Sequence, residues 1–286
     1  MAHNRSSFMI KFSFYKNIVL ALCQVLYNSF TGVSGQSPYN SLSLTLFNFL
    51  WTAYTFMMIF DYDIPRDELK TQPYIYEHTK SGRSMSVLTS LSWFIMALIH
   101  TSAVLLITVY AYMPHMLPFM GGASHDIEYI GHILFGNILW TILGTYFILN
   151  QSINAIGLIV ISITMFLYYA FLCLYSNALN VTSFIDVIPG VDPYTIVGVV
   201  NQVMLDPFHY LVTILVVGVS SVIVLSFVVC VNLFFPSIIN QYYQFKSVHK
   251  KALHQATEDY FFTGIYNGPL FTNPKKMTKD KKVRFK

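Results

Sequence analysis

Between Arg83 and Lys246 this chain has no lysine and no arginine, although it carries 17 such residues elsewhere. That interval is instead occupied by long apolar runs, and comparable runs precede it. A helix needs roughly 20 mostly apolar residues to cross about 30 Å of hydrocarbon. Six stretches meet the requirement, near 8–30, 40–60, 87–113, 131–150, 155–175 and 208–235. Only 10% of the residues are charged, where a soluble domain carries about 25%. The backbone of a spanning segment must satisfy its own hydrogen bonds. The sequence therefore predicts an all-α fold, a polytopic transmembrane helical bundle of six spans.

The basic residues set its orientation. They fall at Arg5, Lys11 and Lys16, then at Arg66, Lys70, Lys80 and Arg83, and again from Lys246 onward. The positive-inside rule places the N-terminus, the 61–86 loop and the C-terminal tail in the cytosol. The loops near 31–39, 114–130 and 176–207 then face the lumen or exterior. Both termini on one side require an even number of spans. The opening MAHNRSS is too short and polar for the charged region of a cleaved signal, so the first run reads as a retained span.

The chain divides into a membrane domain, 1–245, and a basic cytosolic tail, 246–286. Seven of the tail's last twelve residues are Lys or Arg. Such a run attracts anionic lipid when it lies near the inner leaflet and is otherwise a solvated tail that obeys the topology rule. No nucleic-acid partner is expected. Cys23, Cys173 and Cys230 all lie inside spans and form no C-x-x-C pair, so they read as small apolar packers, and no metal site is expected. Asn180-Val181-Thr182 is a glycosylation sequon on the expected outer side.

Two spans carry polar stripes. At 100° per residue, Ser13, Asn17, Gln24, Asn28 and Thr31 fall within about 60° of one another on the first helix. Ser41, Thr45, Asn48, Thr52 and Thr55 fall within about 80° on the second. Such residues either bond neighbouring helices together or line a hydrophilic path. Lys16 sharpens the choice, because a charge at bilayer depth costs at least about 2.5–3.5 kcal/mol and usually faces a cavity or a partner. No Asp or Glu lies inside any of the six runs. Either the ammonium lines a polar cavity, or it snorkels toward Asp61 or Asp63 at the end of the second span.

The run Phe14-Tyr15-Lys16-Asn17, followed by Thr31-Gly32-Val33-Ser34-Gly35-Gln36, resembles the type IV P-type ATPases, the phospholipid flippases. Their fifth membrane helix carries F-F-Y-K-N, and a G-F-S-G-Q or G-F-S-A-Q turn follows. Leu44-Thr45-Leu46-Phe47-Asn48 and Ile59-Phe60-Asp61-Tyr62-Asp63 are similar to the family's L-T-L-Y-N and I-F-D-Q-D on its sixth helix. Pro73-Tyr74-Ile75-Tyr76 is similar to its cytosolic Y-P-x-L-Y. Beyond Arg83 the resemblance is one of topology. It implies that the six spans are the family's helices five to ten and that Lys16, Asn17 and Asn48 line or support the lipid head-group path. Ser13, Gln24, Asn28, Thr45 and Thr52 would form the supporting stripe. The family usually has proline at the position of Thr55 and glycine at that of Met58, so this sequence predicts a second span without the family's usual break.

The chain contains no D-K-T-G-T phosphorylation loop and no nucleotide-binding motif. The resemblance thus implies the membrane-embedded C-terminal part of a phospholipid-translocating ATPase that does not hydrolyse ATP alone. Such a chain is a fragment, half of a split enzyme or a degenerate copy; the alternative is a non-catalytic six-span scaffold or regulator derived from a flippase. Mg2+ and ATP are implied only for a complete family member. The implied partners are phospholipid, an N-terminal catalytic portion and a two-span accessory glycoprotein. The implied location is the plasma membrane or a Golgi or endosomal membrane.

Overall fold

The structure is a computed structural model, described here for residues 2–33, 35–60, 86–112, 127–150, 154–178 and 199–234. The 61–85 segment with Asp61 and Asp63, the sequon at Asn180 and the tail at 246–286 lie outside the described residues. A compact membrane unit covers Met1–Leu233, and Phe234–Lys286 forms a separate unit.

All regular structure among the described residues is helical. Six segments are long and apolar enough to cross a membrane: Arg5–Phe30, Ser41–Phe60, Val87–Tyr112, Tyr129–Leu149, Ala155–Leu174 and Pro207–Val231. They match the six apolar runs of the sequence to within a few residues at each end. Helix α1 (Ala2–Phe30) has neither Gly nor Pro. It stops where Gly32 takes φ +66°, with the Val33 N–H reaching back to the Asn28 carbonyl at 2.8 Å. This six-to-one bond with a left-handed residue inside it is a Schellman stop. The chain then turns through Pro38, and Asn40 caps α2 (Ser41–Leu46) by accepting from the Leu42 N–H at 2.9 Å.

The second span does not continue as one helix, contrary to the expectation from its missing proline and glycine. A π-helical turn over Phe47–Trp51 follows α2, and a 3-10 segment over Ala53–Phe60 completes the crossing. Thr52 makes the break. Its N–H and its hydroxyl both reach the Phe47 carbonyl, at 3.1 and 2.7 Å. The threonine hydroxyl therefore adds a second hydrogen bond to the carbonyl that closes the widened turn. Thr55 repeats the device one turn later, donating to the Thr52 carbonyl at 2.9 Å.

Helices α3 (Val87–Tyr112), α4 (Ile127–Leu149), α5 (Ala155–Ala178), the short α6 (Val199–Leu205) and α7 (Pro207–Phe234) complete the bundle. The central element is α4, whose span is 72% buried where that of α7 is 17% buried. Asn137 of α4 donates to Thr108 Oγ1 of α3 at 3.0 Å and accepts from Thr213 of α7 at 2.9 Å. One amide thus ties three spans together, in the manner of polar glue between membrane helices. Aromatic edges fill much of the remaining interior: Phe8 on Trp93, Trp51 on Tyr168, and Tyr54 on Tyr146, with ring centres 5.6, 5.4 and 5.3 Å apart.

Candidate functional site

Lys16 sits on the inward face of α1 and is 4% exposed. Its ammonium donates to Thr52 Oγ1 at 2.6 Å, at the break in the second span, and lies 5.7 Å from the centre of the Phe47 ring. Thr52 passes the polarisation on, because its own proton goes to the Phe47 carbonyl. The path runs from ammonium to hydroxyl to the backbone oxygen of a widened turn. Each group in it is individually costly in hydrocarbon, and together they offset one another's desolvation. An ammonium has three N–H donors. Thr52 takes one, and no carboxylate among the described residues pairs with the charge. Next to Thr52 in the chain, Trp51 Nε1 and the Tyr54 hydroxyl are buried with no hydrogen-bond partner among the described residues, their rings packed on Tyr168 and Tyr146.

The residues expected to share the path are not all brought together. Asn17 follows Lys16 by 100° around α1 and is exposed on its outer face. With Met9, Ile10, Ser13 and Phe14 it lines a shallow, open groove there. Asn48 and Thr45 are likewise exposed, and Thr45 spends its hydroxyl on the Ser41 carbonyl at 2.9 Å. Gln24 and Asn28 are half-buried, and Asn28 Oδ1 has no hydrogen-bond partner among the described residues. The structure thus joins Lys16 to Thr52 inside the bundle and leaves Asn17, Asn48 and Thr45 on its surface.

A second buried network holds the neighbour of Lys16. His100 of α3 is fully buried, and its Nε2–H donates to the Ser220 carbonyl of α7 at 3.1 Å. That bond fixes the neutral tautomer and leaves Nδ1 as the acceptor for the Tyr15 hydroxyl. Tyr15 also lies 3.3 Å from Thr145 Oγ1 of α4. Four spans therefore meet at the residue beside Lys16. Sequence reasoning does not single out His100; the available signal was an imidazole in the middle of a span that holds no charge.

These features define an integral, multi-pass α-helical membrane protein with a buried lysine gripping a broken helix. Residues 1–237 match the family described as phospholipid-translocating P-type ATPase C-terminal, and the chain belongs to that family. It is 26% identical over 155 residues to phospholipid-transporting ATPase 2 of Arabidopsis thaliana, covering 54% of this chain and 13% of that protein. Over 141 residues it is 28% identical to phospholipid-transporting ATPase tat-1 of Caenorhabditis elegans, covering 49% of this chain and 12% of the relative. Phospholipid-transporting ATPase DRS2 of Saccharomyces cerevisiae is 25% identical over 178 residues, or 62% of this chain and 13% of that protein. The chain thus spans only about one-eighth of the length of these relatives.

Proposed function

We propose that this chain supplies the membrane part of a phospholipid translocase, in which the Lys16–Thr52 pair at the broken second span meets the lipid head group as it crosses. The observation that carries the reading is a buried ammonium with, among the described residues, a single hydroxyl acceptor at a helix break. Broken helices and unpaired charges at membrane depth commonly attend polar substrates. Asn17 and Asn48, on exposed faces, serve the same path where a further membrane element packs against them. The stripe of Ser13, Gln24, Asn28 and Thr45 supports it.

Translocation against a gradient needs an energy source. The sequence has no phosphorylation loop, so in this reading ATP and Mg2+ belong to an N-terminal catalytic portion that pairs with this chain. A two-span accessory glycoprotein on the outer loops, both termini in the cytosol, and residence in the plasma membrane or a Golgi or endosomal membrane complete the proposal.

The test is lipid-stimulated ATPase of a complex restored with the catalytic portion. Lys16→Met keeps length and apolar packing and removes the charge. It should insert normally and lower lipid stimulation by about tenfold or more, the equivalent of one lost charge-assisted hydrogen bond. Thr52→Val should lower it in the same direction. Normal stimulation in a well-inserted Lys16→Met protein removes the pair from the transport path.

A further inference from the structure

The 3-10 segment Ala53–Phe60 is eight residues long, about twice the usual run of that helix, whose hydrogen bonds are poorer than those of an α-helix. No proline or glycine within it imposes the form. Its packing repeats every three residues, as about 120° per residue requires. Thr55 and Met58 are buried, and Phe56 and Ile59 are 54% and 38% exposed. An α-helix would serve the same interior. At about 100° per residue, the buried Trp51, Tyr54, Thr55 and Met58 fall within about 100° of one another. The segment thus suits two helical forms that bury these side chains, and its surroundings must select the looser-bonded one.

Each end of the segment is held from a different helix. At the first, Lys16 of α1 donates to Thr52 Oγ1 at 2.6 Å, and the Thr52 hydroxyl bonds the Phe47 carbonyl that closes the widened turn. At the last, Asn154 Nδ2 donates to the Phe60 carbonyl at 3.0 Å, one of the terminal carbonyls that a helix cannot satisfy by itself. Asn154 is fixed in its turn, because its own carbonyl accepts from the Leu158 N–H at 3.1 Å in the first turn of α5. The segment packs against both α1 and α5. A rise of about 2.0 Å per residue instead of about 1.5 Å makes these eight residues about 4 Å longer than an α-helix.

We infer that Lys16 and Asn154 clamp Ala53–Phe60 in its drawn-out form, and that releasing either end relaxes the segment to the shorter α-helix. An anion that takes the ammonium from Thr52 then draws Phe60, and the sequence that follows it, toward the break. That last step rests on the head-group reading of Lys16; the clamp itself does not. Nitroxide pairs report the helix type, because residues three apart eclipse in a 3-10 helix and residues four apart align best in an α-helix. The full chain, with its three cysteines replaced by alanine, is labelled at Phe56 and Ile59 or at Phe56 and Phe60, all exposed, in phosphatidylcholine nanodiscs. With Lys16 and Asn154 in place, the Phe56–Ile59 pair should show the stronger spin–spin broadening. Lys16→Met and Asn154→Ala should each reverse that order. Asn154 is exposed, so its variant tests the clamp without disturbing the buried charge. Stronger broadening of the Phe56–Phe60 pair before either substitution overturns the inference. So does an unreversed order in either variant that remains monodisperse. The measurement contains no transport step, so a failed clamp leaves the head-group reading standing, and normal ATPase stimulation in Lys16→Met leaves the clamp standing.

Discussion

The hydroxyl of Tyr15 is one atom in a chain of donors and acceptors that runs from the Ser220 carbonyl through His100. Tyr15→Phe deletes the donor and strands Nδ1 of a fully buried imidazole. That should cost about 1–2 kcal/mol, since an orphaned buried acceptor is penalised while hydrogen bonds in membranes are individually modest. His100→Leu removes the acceptor and leaves the Tyr15 hydroxyl searching for Thr145. The two losses overlap, so the double variant should be less damaged than the sum of the singles. Thermal unfolding in one fixed detergent measures all three. Strict additivity would mean that the pair is not energetically coupled. The stakes reach Lys16, because the backbone that presents its side chain is the one that Tyr15 pins to α3, α4 and α7.

At the scale of the elements, the spans were legible because length and apolarity alone decide what crosses a bilayer. The break was not. Without proline or glycine at Thr55 and Met58, the second span reads as continuous, and the 100° step then places Thr45, Asn48 and Thr52 on one face. A π-helical turn closes one residue later than an α turn, so the register changes between Asn48 and Thr52. Thr52 is turned inward to Lys16, and Asn48 and Thr45 are left outside. Periodicity alone could not resolve the polar stripe into an inner and an outer part. Another element contact depends on a single absent methyl. A Cβ on Gly131 at the start of α4 would lie 1.8 Å from the Pro38 carbonyl oxygen. The 31–40 turn therefore rests directly on the backbone of α4. Gly131→Ala should destabilise the bundle by about 1–3 kcal/mol through forced separation, despite alanine's better helix propensity. Gly218→Ala on α7, where a Cβ meets nothing within 4 Å, is the control and should be neutral or slightly stabilising. Equal melting temperatures for the two variants would show that the turn yields without cost.

For the molecule as a whole, the family assignment and the missing phosphorylation loop lead to a functional expectation: the purified chain alone should form no acid-stable, hydroxylamine-sensitive phosphoenzyme from ATP. Appearance of that intermediate on this polypeptide would refute the division of labour proposed above. The proposed orientation rests on the positions of the basic residues in the sequence. If all six candidate spans cross, the chain returns to the side where it began, and the basic residues at Arg5–Lys16, at Arg66–Arg83 and from Lys246 onward would share that side. Burying the opposite ends on the cytosolic side would require moving those groups across the membrane, against the bias that retains Lys and Arg inside. The described structure supplies usable positions for a test. Ser37 is exposed in the turn between the first two spans, and Ser124 and Ser81 lie between later spans in the sequence. Cys23, Cys173 and Cys230 are first replaced by alanine; the latter two are exposed to the surroundings of the bundle and tolerate the change more readily than buried Cys23. Single cysteines at Ser37, Ser124 and Ser81 are then offered a membrane-impermeant maleimide in sealed cells, and again after permeabilisation of the membrane. In a chain resident at the plasma membrane, Ser37→Cys and Ser124→Cys should label in sealed cells, and Ser81→Cys only after permeabilisation. For a chain held in internal membranes, selective opening of the plasma membrane reverses the pattern, exposing Ser81→Cys while the other two stay protected in the lumen. Labelling of Ser37→Cys and Ser81→Cys from the same side would break the alternation that six crossings impose, and with it the assignment of the second span as a complete crossing.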